Sequence, residues 1–195
     1  MSKLYFRYGA MNSGKSTHLM QVAHNYEERG MKILLLKPAT DKKGGDKIVS
    51  RLGVERKVDM LISDEDNILL KLEEPIKNNK PSCIIVDEVQ FLKKHHIDEL
   101  FQVAVVNNIP VICYGLRTDF LMNGFEGSER LLLIAHSIEE MKTICTCGNK
   151  AILNGRKLNG KYIFEGEQVA IDLVDNIEYE SLCGACYFKY KNKQN

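Results

Sequence analysis

The chain has 195 residues, 44% of them hydrophobic, which is enough for one sizeable core and a small appendage. Its 27 basic residues balance 26 acidic ones, so it lacks the electrostatic footprint that phosphate-backbone binding leaves, and a nucleic-acid polymer is not the expected partner. The longest apolar runs, such as LLLIA at 131–135, are too short to span a bilayer; the expectation is a soluble, cytoplasmic protein with no membrane partner.

Leu4 to Tyr8 reads as a strand, and directly after it comes Gly9-Ala10-Met11-Asn12-Ser13-Gly14-Lys15-Ser16. This run fits the phosphate-binding pattern G-x-x-x-x-G-K-[ST] in its required place between a strand and a helix. Glycines let backbone N–H groups wrap a phosphate, and the helix N-terminus adds partial positive charge. Lys15 would reach the β- and γ-phosphates, and Ser16 would ligate Mg²⁺. Leu19, Val22, Ala23 and Tyr26 then recur at helical spacing, with Gly30 as the helix stop.

A buried strand is expected at Ile33 to Leu36, bounded by Pro38. Residues 41–63 read as polar and irregular, and Ile68, Leu69 and Leu72 suggest a short helix that Pro75 stops. The stretch CIIVDEVQF, residues 83–91, reads as a strand from Cys83 to Val86 that ends in two adjacent carboxylates. An apolar strand ending in aspartate is how phosphate-loop proteins bring a carboxylate to the metal, so Asp87 is the candidate Mg²⁺ partner. Glu88, one residue further out, would act as general base, taking a proton from water in a motor or from a substrate hydroxyl in a kinase.

A helix carrying Ile97, Leu100, Phe101, Ala104 and Val105 follows, then a strand at Val111 to Tyr114. Apolar strands alternating with amphipathic helices imply an α/β fold with a parallel sheet covered on both faces, and in such sheets ligands sit beyond the carboxyl ends of the strands.

From about Lys142 the pattern changes to short strand-like segments punctuated by Gly155, Gly160 and Gly166, ending in a lysine-rich stretch, 189–193, that reads as a solvated tail. The expected division is a nucleotide-binding domain over 1–141 and a smaller module over 142–195. Of the six cysteines, Cys83 and Cys113 lie in apolar runs and read as small buried hydrophobes. The other four form two close pairs, Cys145-Thr-Cys147 and Cys183-Gly-Ala-Cys186. Four thiolates in two pairs satisfy tetrahedral Zn²⁺ and leave no position for a catalytic water, which makes a structural site; a redox dithiol at Cys183 and Cys186 is the alternative.

Together GAMNSGKST, DEVQF, YGLRTDF at 114–120 and EYESLCGACYF near the end resemble the type II thymidine kinases over nearly the whole chain. The resemblance implies a RecA-like core and a zinc-anchored lasso loop that closes over the substrate. It implies ATP contacts at Gly9 to Ser16, Asp87 and Gln90, and Glu88 as the base that takes the proton from the thymidine 5′-hydroxyl. Met11, Asp41, Phe91, Leu116, Phe120, Phe125 and Tyr179 would contact the nucleoside, with Phe91 packed on the pyrimidine. It further implies dTTP as feedback inhibitor and a homotetramer. The sequence departs from the family at Lys43, where arginine is common, at Val174-Asp175, where the lasso usually carries two glycines, at the C-x-C spacing of the first cysteine pair, and at Gly184. A phosphate-loop ATPase acting on nucleic acid through a zinc-ribbon arm is the alternative from another class. A zinc-stabilised interaction module with a vestigial nucleotide site is a third reading.

Overall fold

The computed structural model describes residues 1–41, 45–50, 53–168 and 176–193. The first part of the chain runs β1 (Leu4–Tyr8), α1 (Lys15–Glu27), β2 (Ile33–Pro38), a hairpin of β3 (Lys47–Val49) and β4 (Glu55–Lys57), and β5 (Met60–Ile62). Next come α2 (Ile68–Asn79), β6 (Cys83–Val86), a 3-10 turn (Val89–Phe91), α3 (Lys94–Val106), β7 (Val111–Gly115), α4 (Glu126–Ile134) and β8 (Ser137–Glu140). The last part comprises β9 (Thr143–Ile144), β10 (Lys150–Ala151), β11 (Leu153–Leu158), β12 (Lys161–Ile163), β13 (Ile177–Leu182) and α5 (Gly184–Lys191).

Six strands form the central sheet in the order β5-β2-β6-β7-β1-β8, each pair parallel. β2, β6 and β7 are buried at every position, as expected of strands with helices packed on both faces. One apolar layer joins Leu4, Phe6, Leu36 and Val86 to Leu72, Ile97, Leu100 and Leu131 of α2, α3 and α4. The opposite layer joins Leu35, Ile85 and Tyr114 to Leu19 and Ala23 of α1 and Ile48 of the hairpin. The register sets Tyr8 beside Gly115 and Val86 beside Cys113, so the loops leaving β1, β6 and β7 emerge together at the carboxyl edge.

Four local expectations are corrected, the fourth at Gly155 below. Pro75 does not stop α2, which continues to Asn79 and ends on Lys80 in the left-handed conformation. Ile68 and Leu72 are fully buried and Ile76 packs against the same core, so the apolar face persists past the proline and its packing outweighs one missing backbone hydrogen bond. Residues 41–63 are not irregular throughout: they contain β3, β4 and the sheet-edge strand β5, each three residues long and too short to show alternation. Finally, Lys189 and Lys191 lie in α5 rather than in a tail. Lys43, Gly44, Val174 and Asp175 lie outside the described residues.

The last part of the chain forms a β10-β9 pair and a β12-β11-β13 sheet capped by α5. Its core is Cys145, Ala151, Leu153, Leu182, Cys183 and Tyr187, with Tyr162 and Phe164 packed against it. Gly155 is not a turn: it sits inside β11, where a side chain would meet Leu182 at 2.7 Å and Tyr162 at 2.8 Å. Among the described residues no helix is long and apolar enough to cross a membrane.

Candidate active site

The loop between β1 and α1 is held tightly from below. A Cβ on Gly9 would lie 2.6 Å from the Met141 carbonyl and 2.3 Å from Ser13 Oγ, so no side chain fits there. Asn12 and Gly14 take positive φ values of 67° and 77°, which turn the backbone into a cradle. No side chain caps the start of α1, so the partial positive charge of its first turn faces the loop. The Lys15 ammonium is nearly buried and donates to the Ala10 carbonyl at 3.0 Å and to Ser13 Oγ at 3.4 Å.

Asp87 follows β6 and is 4% exposed, with its N–H on the Leu36 carbonyl at 3.0 Å. Burial, then the neighbouring charge of Glu88 and that of Asp41, push its carboxyl well above the usual range, while a backbone hydrogen bond and Lys15 pull the other way. Carboxylate and hydroxyl oxygens such as those of Asp87 and Ser16 are the donor type that Mg²⁺ takes. Asp41 also pairs with the buried Lys37 ammonium at 3.0 Å.

Glu88 stands in the left-handed region at φ 47°, a costly conformation for a residue other than glycine and one that concentrates at functional sites. Its carboxylate accepts from Gln90 Nε2 at 2.6 Å. The other end of the same amide, Gln90 Oε1, accepts from the Leu116 N–H at 3.0 Å. Gln90 is 2% exposed and is spent on these two contacts. Room for it exists because residue 115 is glycine: a Cβ there would lie 2.6 Å from Gln90 Oε1.

The aromatic and apolar residues gather beyond β7. Phe91 meets Phe125 edge-on with ring centroids 5.7 Å apart, and Leu116, Phe120 and Phe125 are buried. Ser128 Oγ holds the Leu116 carbonyl at 2.5 Å. The Arg156 guanidinium lies 3.6 Å above the Phe120 ring centroid and donates to Tyr179 Oη at 3.0 Å, which joins two residues predicted to line one pocket. Tyr187 Oη donates to the Phe120 carbonyl at 2.8 Å.

The four clustered cysteines bring their sulfurs within 4.8 Å of one another, Cys147 and Cys183 at 3.5 Å. A tetrahedral Zn²⁺ with ~2.3 Å bonds needs sulfurs about 3.8 Å apart, so the set fits that ion. The thiols differ in how readily they ionise. Burial opposes ionisation of Cys145, yet backbone N–H groups of Cys147 and Cys183 draw it down to about 6, while the sulfurs of Cys147 and Cys183 push Cys186 up to about 12. The support for a metal is the convergence of the four sulfurs on one point.

Sequence reasoning overlooked Asn154, Arg156, Ser181 and Tyr187. Asn154 heads an Asn-Gly dipeptide that looks like Asn159-Gly160. The second is a true hairpin turn with positive φ at both residues, whereas the first is interior strand. Asn154 and Arg156, two apart in a strand, share one face and are both buried, which the sequence does not show.

A family model described as thymidine kinase matches residues 2–187. The chain is 43% identical over 196 residues to the thymidine kinase of Lactobacillus acidophilus, covering 96% of this chain and 97% of that protein. It is 45% identical over 173 residues to that of Francisella tularensis subsp. holarctica, covering 88% and 87%. With the thymidine kinase of Streptococcus gordonii it shares 44% over 193 residues, 97% of each. A chain matched in this way over nearly its whole length belongs to the thymidine kinase family.

Proposed function

We propose that this chain is a kinase that transfers the γ-phosphate of ATP to the 5′-hydroxyl of thymidine. Family membership supports the reaction and its two substrates. The observation that carries the mechanism is the Gln90 amide, which joins Glu88 at the phosphate side to Leu116 at the nucleoside side.

In this reading Glu88 takes the proton of the 5′-hydroxyl as it attacks phosphorus, and Gln90 fixes the direction of its carboxylate. Phosphoryl transfer asks mainly for positioning and charge neutralisation. The backbone of Gly9 to Ser16 cradles the phosphates and Lys15 swings from the Ala10 carbonyl to the β/γ oxygens. Asp87 and Ser16 would hold Mg²⁺, which neutralises phosphate charge when bound. Met11, Phe91, Leu116, Phe120, Phe125 and Tyr179 surround the nucleoside, and Asp41 contributes its charge beside Asp87. Phe91 packs on the pyrimidine ring, a contact suited to one base rather than a polymer.

Cys145, Cys147, Cys183 and Cys186 would hold a structural Zn²⁺, anchoring a module over 142–195 that closes over the substrate and keeps water from the γ-phosphate. Likeness to the type II enzymes supports a cytoplasmic homotetramer restrained by dTTP. Incubation of the protein with ATP, Mg²⁺ and thymidine tests the reaction: thymidine monophosphate should accumulate in proportion to ADP. ADP release without that product, stimulated by DNA, would overturn it.

A further inference from the structure

Met11 stands where the phosphate loop meets the nucleoside pocket, and its backbone is gripped from the other end of the chain. Its N–H donates to Asn154 Oδ1 at 2.8 Å, and its carbonyl accepts from Ser181 Oγ at 2.5 Å. Asn154 and Ser181 lie directly opposite one another on β11 and β13, so the two groups form one rigid cross-strand pair. The second end of the Asn154 amide donates to the Thr118 carbonyl at 2.8 Å, in the loop that carries Leu116 and Phe120. Asn154 and Ser181 are 3% and 5% exposed, and each of these polar ends has a protein partner.

Two consequences follow from the bonding. The Met11 N–H is committed to Asn154, so within the Gly9 to Ser16 cradle it is not a donor to phosphate, and loosening Met11 leaves the other donors of that cradle in place. The position of the Met11 side chain and of the 116–120 loop, by contrast, depends on one buried amide shared between them. Buried networks of this kind fix geometry because every alternative leaves a polar group unpaired.

We infer that Asn154 and Ser181 are positioning residues that hold Met11 and the Thr118 loop in register and thereby set affinity for the nucleoside, with little influence on ATP. The inference rests on the kinase reading above and assigns the pair a selective effect rather than a general one.

Steady-state kinetics separate these. Asn154→Asp keeps the shape and the acceptor for Met11 but sets a carboxylate against the Thr118 carbonyl. Ser181→Ala removes the donor to Met11, and Ser181→Thr keeps it. Loss of a buried hydrogen bond at the pocket wall should raise the thymidine KM about tenfold or more in the first two variants. The ATP KM should stay within about twofold, and Ser181→Thr should lie close to wild type. Equal rises in both KM values, or unchanged KM values with only a lowered melting temperature, would overturn the inference. If Asn154→Asp does not fold, the Ser181 pair decides alone. A wild-type protein that makes no thymidine monophosphate would sink the kinase reading instead, and so is recognised separately.

Discussion

Replacing Gly115 by alanine tests whether Gln90 governs Glu88. The new methyl would sit 2.6 Å from Gln90 Oε1 and 2.9 Å from a methyl of Val89. Gly115 has an ordinary negative-φ strand backbone, so the perturbation is steric alone. Val89 is fully buried and cannot retreat, which leaves Gln90 to move. If it moves, its bond to the Leu116 N–H or its bond to the Glu88 carboxylate is lost.

Overpacking of this kind costs about 1–3 kcal/mol of stability, or roughly 2–12 °C in melting temperature for a chain of this size. The catalytic cost is separate. A hydrogen bond to a charged group contributes about 1.5–3 kcal/mol, so misdirecting the Glu88 carboxylate should lower kcat about 10- to 100-fold. The assay is the initial rate of thymidine monophosphate formation at saturating ATP, Mg²⁺ and thymidine, well below the melting temperature of the variant. Gln90→Met removes the same bonds without crowding, and the double variant should be no slower than the slower single one, because both act through one contact. A Gly115→Ala enzyme that melts earlier but turns over within about twofold of wild type would show that Gln90 does not position the base.

Glu88→Gln should leave ATP affinity nearly unchanged while kcat drops on the order of 10²-fold or more; unchanged turnover would remove Glu88 from the role of base. Metal analysis should find one zinc per chain, and Cys183→Ser should lose it together with stability; thymidine affinity retained in the zinc-free protein would count against the lid. His96 is fully buried, with Nδ1 accepting from the Lys93 N–H at 3.2 Å and Nε2 3.0 Å from the Asp66 carbonyl, a neutral tautomer with both nitrogens used. Burial, then His95, lowers its pKa, so the unfolded chain takes up the proton first and stability is lost as pH falls from about 6.5 towards the folded value. Denaturant titrations at pH 7.5 and 5.5 should show this loss reduced in His96→Gln; an identical loss would assign it to other groups.

The loop from Gly9 to Ser16 between a strand and a helix, the carboxylates after β6 and the convergence of the cysteine pairs were legible because each places chemistry-bearing residues at fixed short spacing. The parallel sheet was legible for a different reason: β2, β6 and β7 are apolar at nearly every position, which marks strands covered on both faces. Pro75 misled because local sequence reports the cost of a proline but not the packing of Ile68, Leu72 and Ile76 that offsets it. The Asn154–Met11 and Tyr187–Phe120 contacts span 143 and 67 residues. No local pattern announces a pairing at that distance, and Asn154-Gly155 carried a turn signal that the strand context overrides.

How the small module meets the sheet decides what a zinc ion held in it would do for catalysis. Among its described residues the module buries a core of six, with four partly buried ones packed against it, and two of the six, Cys145 and Cys183, belong to the cysteine cluster that could hold a metal. Such a small apolar core leaves room for further stabilisation, which an ion held between the β9–β10 turn and the start of α5 would supply. The attachments to the sheet are polar: Asn154 and Ser181 to Met11, Tyr187 to the Phe120 carbonyl, Arg156 over the Phe120 ring. Apolar faces tolerate sliding, whereas hydrogen bonds to backbone groups hold one register. A module that loosens would therefore release Met11 and Phe120 together, two residues expected to touch the nucleoside. Loss of an ion from the cysteine cluster should accordingly appear first as a raised thymidine KM, before any change in ATP affinity, because Gly9 at the start of the loop is held by the Gly115 carbonyl and packs against the Met141 backbone.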